Sequence, residues 1–413
     1  MADAQPEPSA VQDDTSLDLL TGPGATELLA AALATNGGKL VDWTARHVDH
    51  RPGASTTVSY RARVSWPDGE RVVTLGASTG LRTVRSDTPG MLVLSDGTRQ
   101  VAVWQFPSDP GLPGLARAFD AAVMTNLLDT YGVQAGPLEL SLRSYRPRRR
   151  AVVEVVGPGV HLFVKVLRPS KVADLHHRHR LLHEAGIPVP GSLGWTDDGL
   201  LLLAALPGTD LREALRDGAR ATPDADELID LLDRMPASVS ELPRRAAWSD
   251  NVEHYAAVVA ATVPTEADRS TRLAALIAQG LAGTPEGDEP THGDFYETQI
   301  LLEHGRLTGL LDVDTAGPGR RADDLACLLA HAEVLAQLEP EHAVTTTQLT
   351  ERMTAVFQHR VDPVELRLRV AGVIMSLATG PHRVQEPGWR EATSGRLDLA
   401  QRWFESAAQQ AQS

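Results

Sequence analysis

The stretch THGDFYETQILLEHGRLTGLLDVDTAGPGRRADDLACLLAH, residues 291–331, constrains the fold more than any other part of this 413-residue chain. Asp294 follows His292-Gly293 on a loop, five residues before Gln299, which opens a short apolar strand. A turn centred on Gly305 sends the chain back along a second apolar strand that ends in Asp312-Val313-Asp314. In a tight hairpin the start of one strand lies beside the end of the next. Gln299 and Asp312 are therefore expected to be neighbours, with Asp294 close by. Two carboxylates and an amide oxygen converging at a loop edge suit a hard cation such as magnesium. A carboxylate that binds no metal can accept a hydroxyl proton.

A lysine supplies the second constraint. Of 39 basic residues only Lys39, Lys165 and Lys171 are lysines, so arginine carries the surface charge and a lysine on an apolar strand calls for a reason. The run LELSLRSY (138–145), RPRRR (146–150), AVVEVV (151–156), Gly157-Pro158-Gly159 and VHLFVKVL (160–167) reads as a three-stranded antiparallel meander ending in Lys165. Without a partner such a lysine is costly. The phosphates of a nucleotide, with an acid from the helix expected over 170–184, would compensate it. The plain alternative is an amphipathic lysine whose stem lies along the apolar face. Arg148, Arg149 and Arg150 occupy the turn before the second strand, where they read either as phosphate contacts or as solvated charge. Metal, base and phosphate-binding lysine are the parts that phosphoryl transfer needs.

The order of strand lysine, helix, apolar strand with Leu206-Pro207-Gly208, helices, His292-Gly293-Asp294 and Asp312-Val313-Asp314 resembles the aminoglycoside phosphotransferase family, the small-molecule branch of the kinase fold. The resemblance covers about 138–410. It implies an α+β, bilobal protein-kinase-like fold and an ATP-dependent phosphotransferase. In that reading Asp294 is the catalytic base, Gln299 and Asp312 are magnesium ligands, and Lys165 binds phosphate. Asp314 is either a further metal carboxylate or a cap for the next turn. His292 and Asp324 support the loop, Asp324 lying in an Asp-Leu-Ala segment that the family also carries. Adenine is placed near Ala204 to Leu206. Two departures stand out. Gln299 replaces an asparagine, as in maltokinase-like sugar kinases, which also carry an N-terminal cap. The glutamate that should pair with the lysine falls where this chain has Asp174, a shorter acid.

The remainder fits around this core. Residues 1–24 read as disordered, 25–135 as an α/β cap domain, 136–207 as the N-lobe and 208–413 as a helical C-lobe. In the cap, a helix is expected over 25–34, strands over 55–66 and 70–78, a hairpin over 91–106 turning at Asp96-Gly97, and a helix over 113–131. The alternation of 55–78 resembles that of 138–167, which leaves a duplicated strand unit open. The net charge of −15 argues against a nucleic-acid partner. A single cysteine, Cys327, excludes an internal disulfide framework and is read as a core residue. No apolar run approaches the length of a membrane span, and the acidic N-terminus is unlike a secretory signal, so the expected location is the cytoplasm. His176, His179 and His183 share a helix face read as solvated. His382, Arg383, Glu386 and Trp389, between the last helices, are candidate contacts to a small-molecule hydroxyl acceptor, or a plain loop. The acceptor expected is a sugar, amino sugar or aminoglycoside. The alternative is a nucleotide-binding regulatory protein of the same fold that has lost catalysis.

Overall fold

The computed structural model describes residues 11–80, 90–95, 100–217 and 222–412. The chain divides into two compact units. The first holds the residues up to Ala173 with Leu193–Leu203 and His382–Pro387. The second holds Asp174–Ser192, Ala204–Pro381 and the chain from Gly388 onward.

The first unit opens with α1 (Val11–Thr21) and α2 (Gly24–Ala34), where the sequence suggested disorder up to residue 24. Leu17 and Leu20, three apart on α1, are buried beside Leu29 and Leu33 of α2, which explains why so polar a segment orders. Tyr60 fixes the packing by donating its hydroxyl to the Leu20 carbonyl at 2.7 Å. The sheet beneath is antiparallel: β1 (Lys39–Arg51), β2 (Ser55–Trp66), β3 (Gly69–Thr79), β4 (Met91–Ser95) and β5 (Gln100–Gln105), in the order β1-β2-β3-β5-β4. The expected Asp96-Gly97 turn lies outside the described residues. The single helix expected over 113–131 is two, α3 (Leu115–Ala118) and α4 (Ala121–Thr130). Asp120 breaks it by capping α4, its carboxylate accepting from the Ala122 and Val123 amides.

A second sheet follows from β6 (Glu139–Arg146), β7 (Arg150–Gly157), β8 (Val160–Leu167), β9 (Ser192–Trp195) and β10 (Leu200–Ala204), with α5 (Pro169–Glu184) between β8 and β9. Its order, β6-β7-β8-β10-β9, repeats that of the first sheet. Val153, Val155, Leu162, Val164 and Leu202 pack with α3 and α4 into a core of their own.

The second unit is mainly helical: β11 (Thr209–Asp210), α6 (Leu211–Arg216), α7 (Ala225–Asp233), α8 (Val252–Thr262), α9 (Ala267–Leu281), β12 (Glu289–Thr291), β13 (Ile300–Glu303), β14 (Arg306–Leu310), β15 (Gly317–Gly319), α10 (Arg321–Leu338), α11 (Ala343–Phe357), α12 (Pro363–Ala378), α13 (Gly380–Arg383) and α14 (Trp389–Gln410). Pro363 at the first position of α12 follows Asp362, whose carboxylate caps the Val364 and Glu365 amides. α12 packs against α10 and α14, and α10 is buried along nearly its whole length. The hairpin of β13 and β14 pairs Ile300 with Leu310, and the Leu311 amide donates to the Gln299 carbonyl at 2.8 Å. Gln299 thus sits beside the strand end that carries Asp312. Among the described residues no helix is long and apolar enough to cross a membrane.

Candidate active site

Asp294 belongs to a loop built on buried backbone hydrogen bonds. Asp324, fully buried in the first turn of α10, accepts from the His292 amide at 2.9 Å and from the Gly293 amide at 2.7 Å, one bond to each carboxylate oxygen. A carboxylate in the first turn also suits the positive end of the helix. The His292 ring is held at both nitrogens. Nδ1 accepts from the Asp294 amide at 3.3 Å, so Nε2 carries the proton and donates to the Leu311 carbonyl at 2.8 Å. Thr315 donates its hydroxyl to the His292 carbonyl, and Trp248 donates its indole N–H to the Gly293 carbonyl at 3.1 Å. Gly293 has φ +79°, and a Cβ there would come 2.8 Å from the Thr315 carbonyl, so only glycine fits. Burial pushes Asp324 up from the ordinary carboxylate range, against the pull of His292 and Arg321.

Tyr296 reports how the oxygen donors gather. Its hydroxyl is pushed up to about 12, first by burial, then by the charges of Asp294 and Asp312, while hydrogen bonds with Thr298 and Gln299 act the other way. Asp294, Gln299 and Asp312 therefore all act on one hydroxyl. Asp312 is held at φ 57°, a left-handed conformation uncommon outside glycine and found where a site over-determines the backbone. Two carboxylates and a buried amide oxygen are hard donors, and this set fits magnesium. Asp314 follows in the 3-10 turn Val313–Thr315.

The second unit brings further groups to this loop. A cavity of about 300 Å³ is lined by Gly293, Thr315, Trp248, Tyr255, Arg245 and Arg369. In its wall, Arg369 binds Asp323 at 2.6 Å and Glu365 at 2.7 Å, and donates to Ser249. Burial nevertheless pushes Asp323 up to about 6. Arg178, buried on α5, donates to the Ala316 carbonyl at 3.2 Å and feels the charges of Asp174 and Asp314. The sequence reading passed over Arg178; its signal was an arginine one turn after Asp174, on the helix where a glutamate was sought. Asp174 itself is exposed. Of the histidine face expected to be solvated, His183 is exposed but the rest is packed. His179 is fully buried with Nδ1 2.9 Å from the Pro190 carbonyl, and His176 Nδ1 is 2.8 Å from Ser192 Oγ, because the segment after α5 folds back along the helix. Leu206-Pro207-Gly208 leads into β11; Gly208 has φ +109°, and Leu206 lies against Gly309 of β14. The Ala204 amide donates to the Gly191 carbonyl at 2.9 Å.

In the first unit Lys165 is buried on β8, opposite Val152 of β7. The arginine turn is held by the preceding sheet and its exit. Asp109, 3% exposed, accepts from the Arg148 amide at 2.7 Å, the Tyr145 hydroxyl at 2.7 Å and the Gly111 amide at 2.7 Å. The Arg148 guanidinium donates to Ser78 of β3, and Arg149 pairs with Asp49 of β1 at 2.9 Å. His382, Arg383 and Glu386 group with this unit, whereas Trp389 opens α14 in the other. Arg383 acts on His47 of β1, which burial first and Arg383 second push down to about 4.

The phosphotransferase enzyme family matches residues 143–354, just over half of the chain, a span that includes Lys165, Asp294, Gln299, Asp312 and Asp324. No curated protein matches the sequence. Among solved structures, a thermostable mutant of aminoglycoside phosphotransferase APH(4)-Ia, in a ternary complex with ADP and hygromycin B, is 16% identical over 67% of this chain and 97% of its own, with a TM-score of 0.46. Macrolide 2'-phosphotransferase MphH from Brachybacterium faecium is 19% identical over 67% of this chain and 97% of its own, with a TM-score of 0.39. A choline/ethanolamine kinase family protein from Mesorhizobium loti is 19% identical over 71% of this chain and 97% of its own, with a TM-score of 0.49. The antiparallel second sheet followed by a mainly helical region is the protein-kinase-like α+β fold expected. With that fold and the matched span of sequence, the chain belongs to the phosphotransferase enzyme family.

Proposed function

We propose that the protein is an ATP-dependent kinase that transfers the γ-phosphate to a hydroxyl of a small molecule, a sugar, an amino sugar or an aminoglycoside. The observation that carries this reading is the support of the Asp294 loop by Asp324, whose two oxygens hold consecutive amides and so fix the backbone that presents Asp294. Asp294 orients the acceptor hydroxyl and takes its proton as the oxygen bonds to the γ-phosphorus; the bond to the bridging oxygen breaks and ADP leaves. Lys165 would neutralise the α- and β-phosphates, with Arg148 and Arg149 as further candidate phosphate contacts. Ala204 and Leu206 would hold the adenine. Magnesium held by Gln299 and Asp312, with Asp314 as a further candidate, supplies neutralisation of the phosphate charge when bound. Rate then comes from positioning and fixed charge. Acceptor contacts are proposed from Trp248 in the cavity beside Gly293, and from His382, Arg383, Glu386 and Trp389. A cytoplasmic location goes with this chemistry, since ATP and a reduced Cys327 are both expected there.

The test is magnesium-dependent ATP consumption by the purified protein against a panel of sugars, amino sugars and aminoglycosides. Phosphate appearing on one acceptor class supports the reading and names the substrate. Tight ATP binding with no transfer across the panel would favour a regulatory, non-catalytic role. Failure to bind nucleotide would end the proposal.

A further inference from the structure

Asp324, Cys327 and His331 lie at positions i, i+3 and i+7 of α10 and so form one stripe on that helix. The loop from His292 to Glu297 runs along this stripe. Asp324 takes the His292 and Gly293 amides, and the His331 ring stacks on Tyr296 with centroids 4.1 Å apart. Between these two contacts, ligand atoms of Asp294, Cys327 and His331 all lie within 4.8 Å of one another. The oxygen, sulfur and nitrogen of this set differ in kind from the all-oxygen set of Gln299 and Asp312.

A second observation points into the same place. Glu297 is 5% exposed, and its Oε2 is buried with no hydrogen-bond partner among the described residues. That oxygen is 3.7 Å from His331 Nδ1, too far for a hydrogen bond. A buried carboxylate oxygen is expensive to leave unmatched, and a carboxylate behind a ligating histidine is the usual outer partner of a zinc-bound imidazole. The carboxylates of Asp294, Asp324, Glu297 and Asp323 all act on Cys327, giving the spot a negative field.

We propose that Asp294, Cys327 and His331 bind a thiophilic divalent cation, with zinc as the type, and that its binding withdraws the base from the acceptor. Zinc takes such nitrogen, sulfur and oxygen ligands at roughly 2.0–2.3 Å, which sets tetrahedral ligand atoms roughly 3.3–3.8 Å apart. The present spacing, within 4.8 Å, has to contract to that range on binding. Magnesium, which prefers oxygen, is a poor competitor for a thiolate. Binding exchanges the Cys327 thiol proton for a metal–sulfur bond and releases that proton to the buffer. The inhibitory part of the proposal rests on Asp294 being the catalytic base; the binding part does not.

The experiment is a cobalt(II) titration of the full-length, chelator-stripped protein, followed by absorption. A thiolate-to-cobalt charge-transfer band that saturates at one equivalent and is displaced by zinc is expected. Cys327→Ser should abolish the band, and His331→Gln should weaken binding at least tenfold, both variants being checked for native circular dichroism. Because the oxygen ligands of the magnesium site give no such band, its absence from folded wild-type protein overturns the site. So does a band that survives Cys327→Ser. In the activity arm zinc should inhibit wild-type transfer and be at least tenfold less effective on Cys327→Ser, each relative to its own zinc-free rate. Stoichiometric zinc binding that leaves transfer untouched would overturn Asp294 as the base while leaving the metal site standing.

Discussion

Two loops in this protein are held by the same device, a buried aspartate that accepts from neighbouring backbone amides, and they differ in the charges set beside them. In the loop that carries Asp294, Asp324 takes the His292 and Gly293 amides. In the arginine turn Asp109 takes the Arg148 and Gly111 amides and the Tyr145 hydroxyl. Burial pushes both carboxyls upward and the hydrogen bonds pull them back. At the first loop Asp294, Gln299 and Asp312 all act on the Tyr296 hydroxyl. At the second the charged side chains are themselves engaged, Arg148 with Ser78 and Arg149 with Asp49. The Asp294 loop is braced from its own unit's helix. The arginine turn is braced by the sheet that precedes the family's matched span, which gives that sheet a role in the behaviour of the turn.

If the two braces do the same work, removing them should give graded losses. The largest is expected for Asp324→Ala, which strands two amides in a dry site and should cost about 3 kcal/mol of stability together with most of the turnover. Chemical denaturation and steady-state rates on the same sample check both. Asp109→Ala should cost about 2 kcal/mol and act chiefly on the KM for ATP, with kcat nearly kept. An equal fall in kcat would erase the distinction drawn between the loops.

A carboxylate of the opposite kind sharpens the point about burial. Glu339 is gripped by Arg212 at 2.7 Å and Arg216 at 2.6 Å, and these pairs hold it down at about 2. Its folded value lies below the ordinary 4.5, so its contribution is present above that value and is lost as pH falls towards about 2. Glu339→Gln should therefore lower stability by about 2 kcal/mol at neutral pH, with the gap to wild type closing through that acidic window. For Asp323, raised to about 6, the sign reverses: stability should decline as pH climbs from about 4 to about 6, and Asp323→Asn should flatten that slope. The smallest effect is expected for Arg149→Ala. Its pair with Asp49 is 41% and 23% exposed, and its loss should change stability by less than about 1 kcal/mol.

The two loops also differ in how far they could be read from the sequence. That Gln299 sits beside the strand end carrying Asp312 was legible because a hairpin fixes which of its residues meet. Lys165 stood out as a lysine on an apolar strand in a chain that otherwise uses arginine. Asp109 was not legible: it sits 39 residues before Arg148, in a stretch with no motif, and only tertiary packing brings them together. The helix α1 was missed because Leu17 and Leu20 are two apolar residues in an acidic run, and their burial depends on a sheet formed later in the chain. Cys327 was rightly placed in the core, yet its nearness to Asp294 needed the loop's path along α10. The spacing of Asp324, Cys327 and His331 carried a trace of that path.

The most direct test of the central claim is single-turnover transfer of labelled γ-phosphate from magnesium-ATP to the acceptor, in wild type and Asp294→Asn. ATP binding is measured alongside by calorimetry. The account predicts unchanged nucleotide affinity with transfer slowed by about 10³-fold or more, the size expected for a lost base that also orients its substrate. Transfer at wild-type rate by Asp294→Asn, with the variant folded and ATP bound, would contradict it.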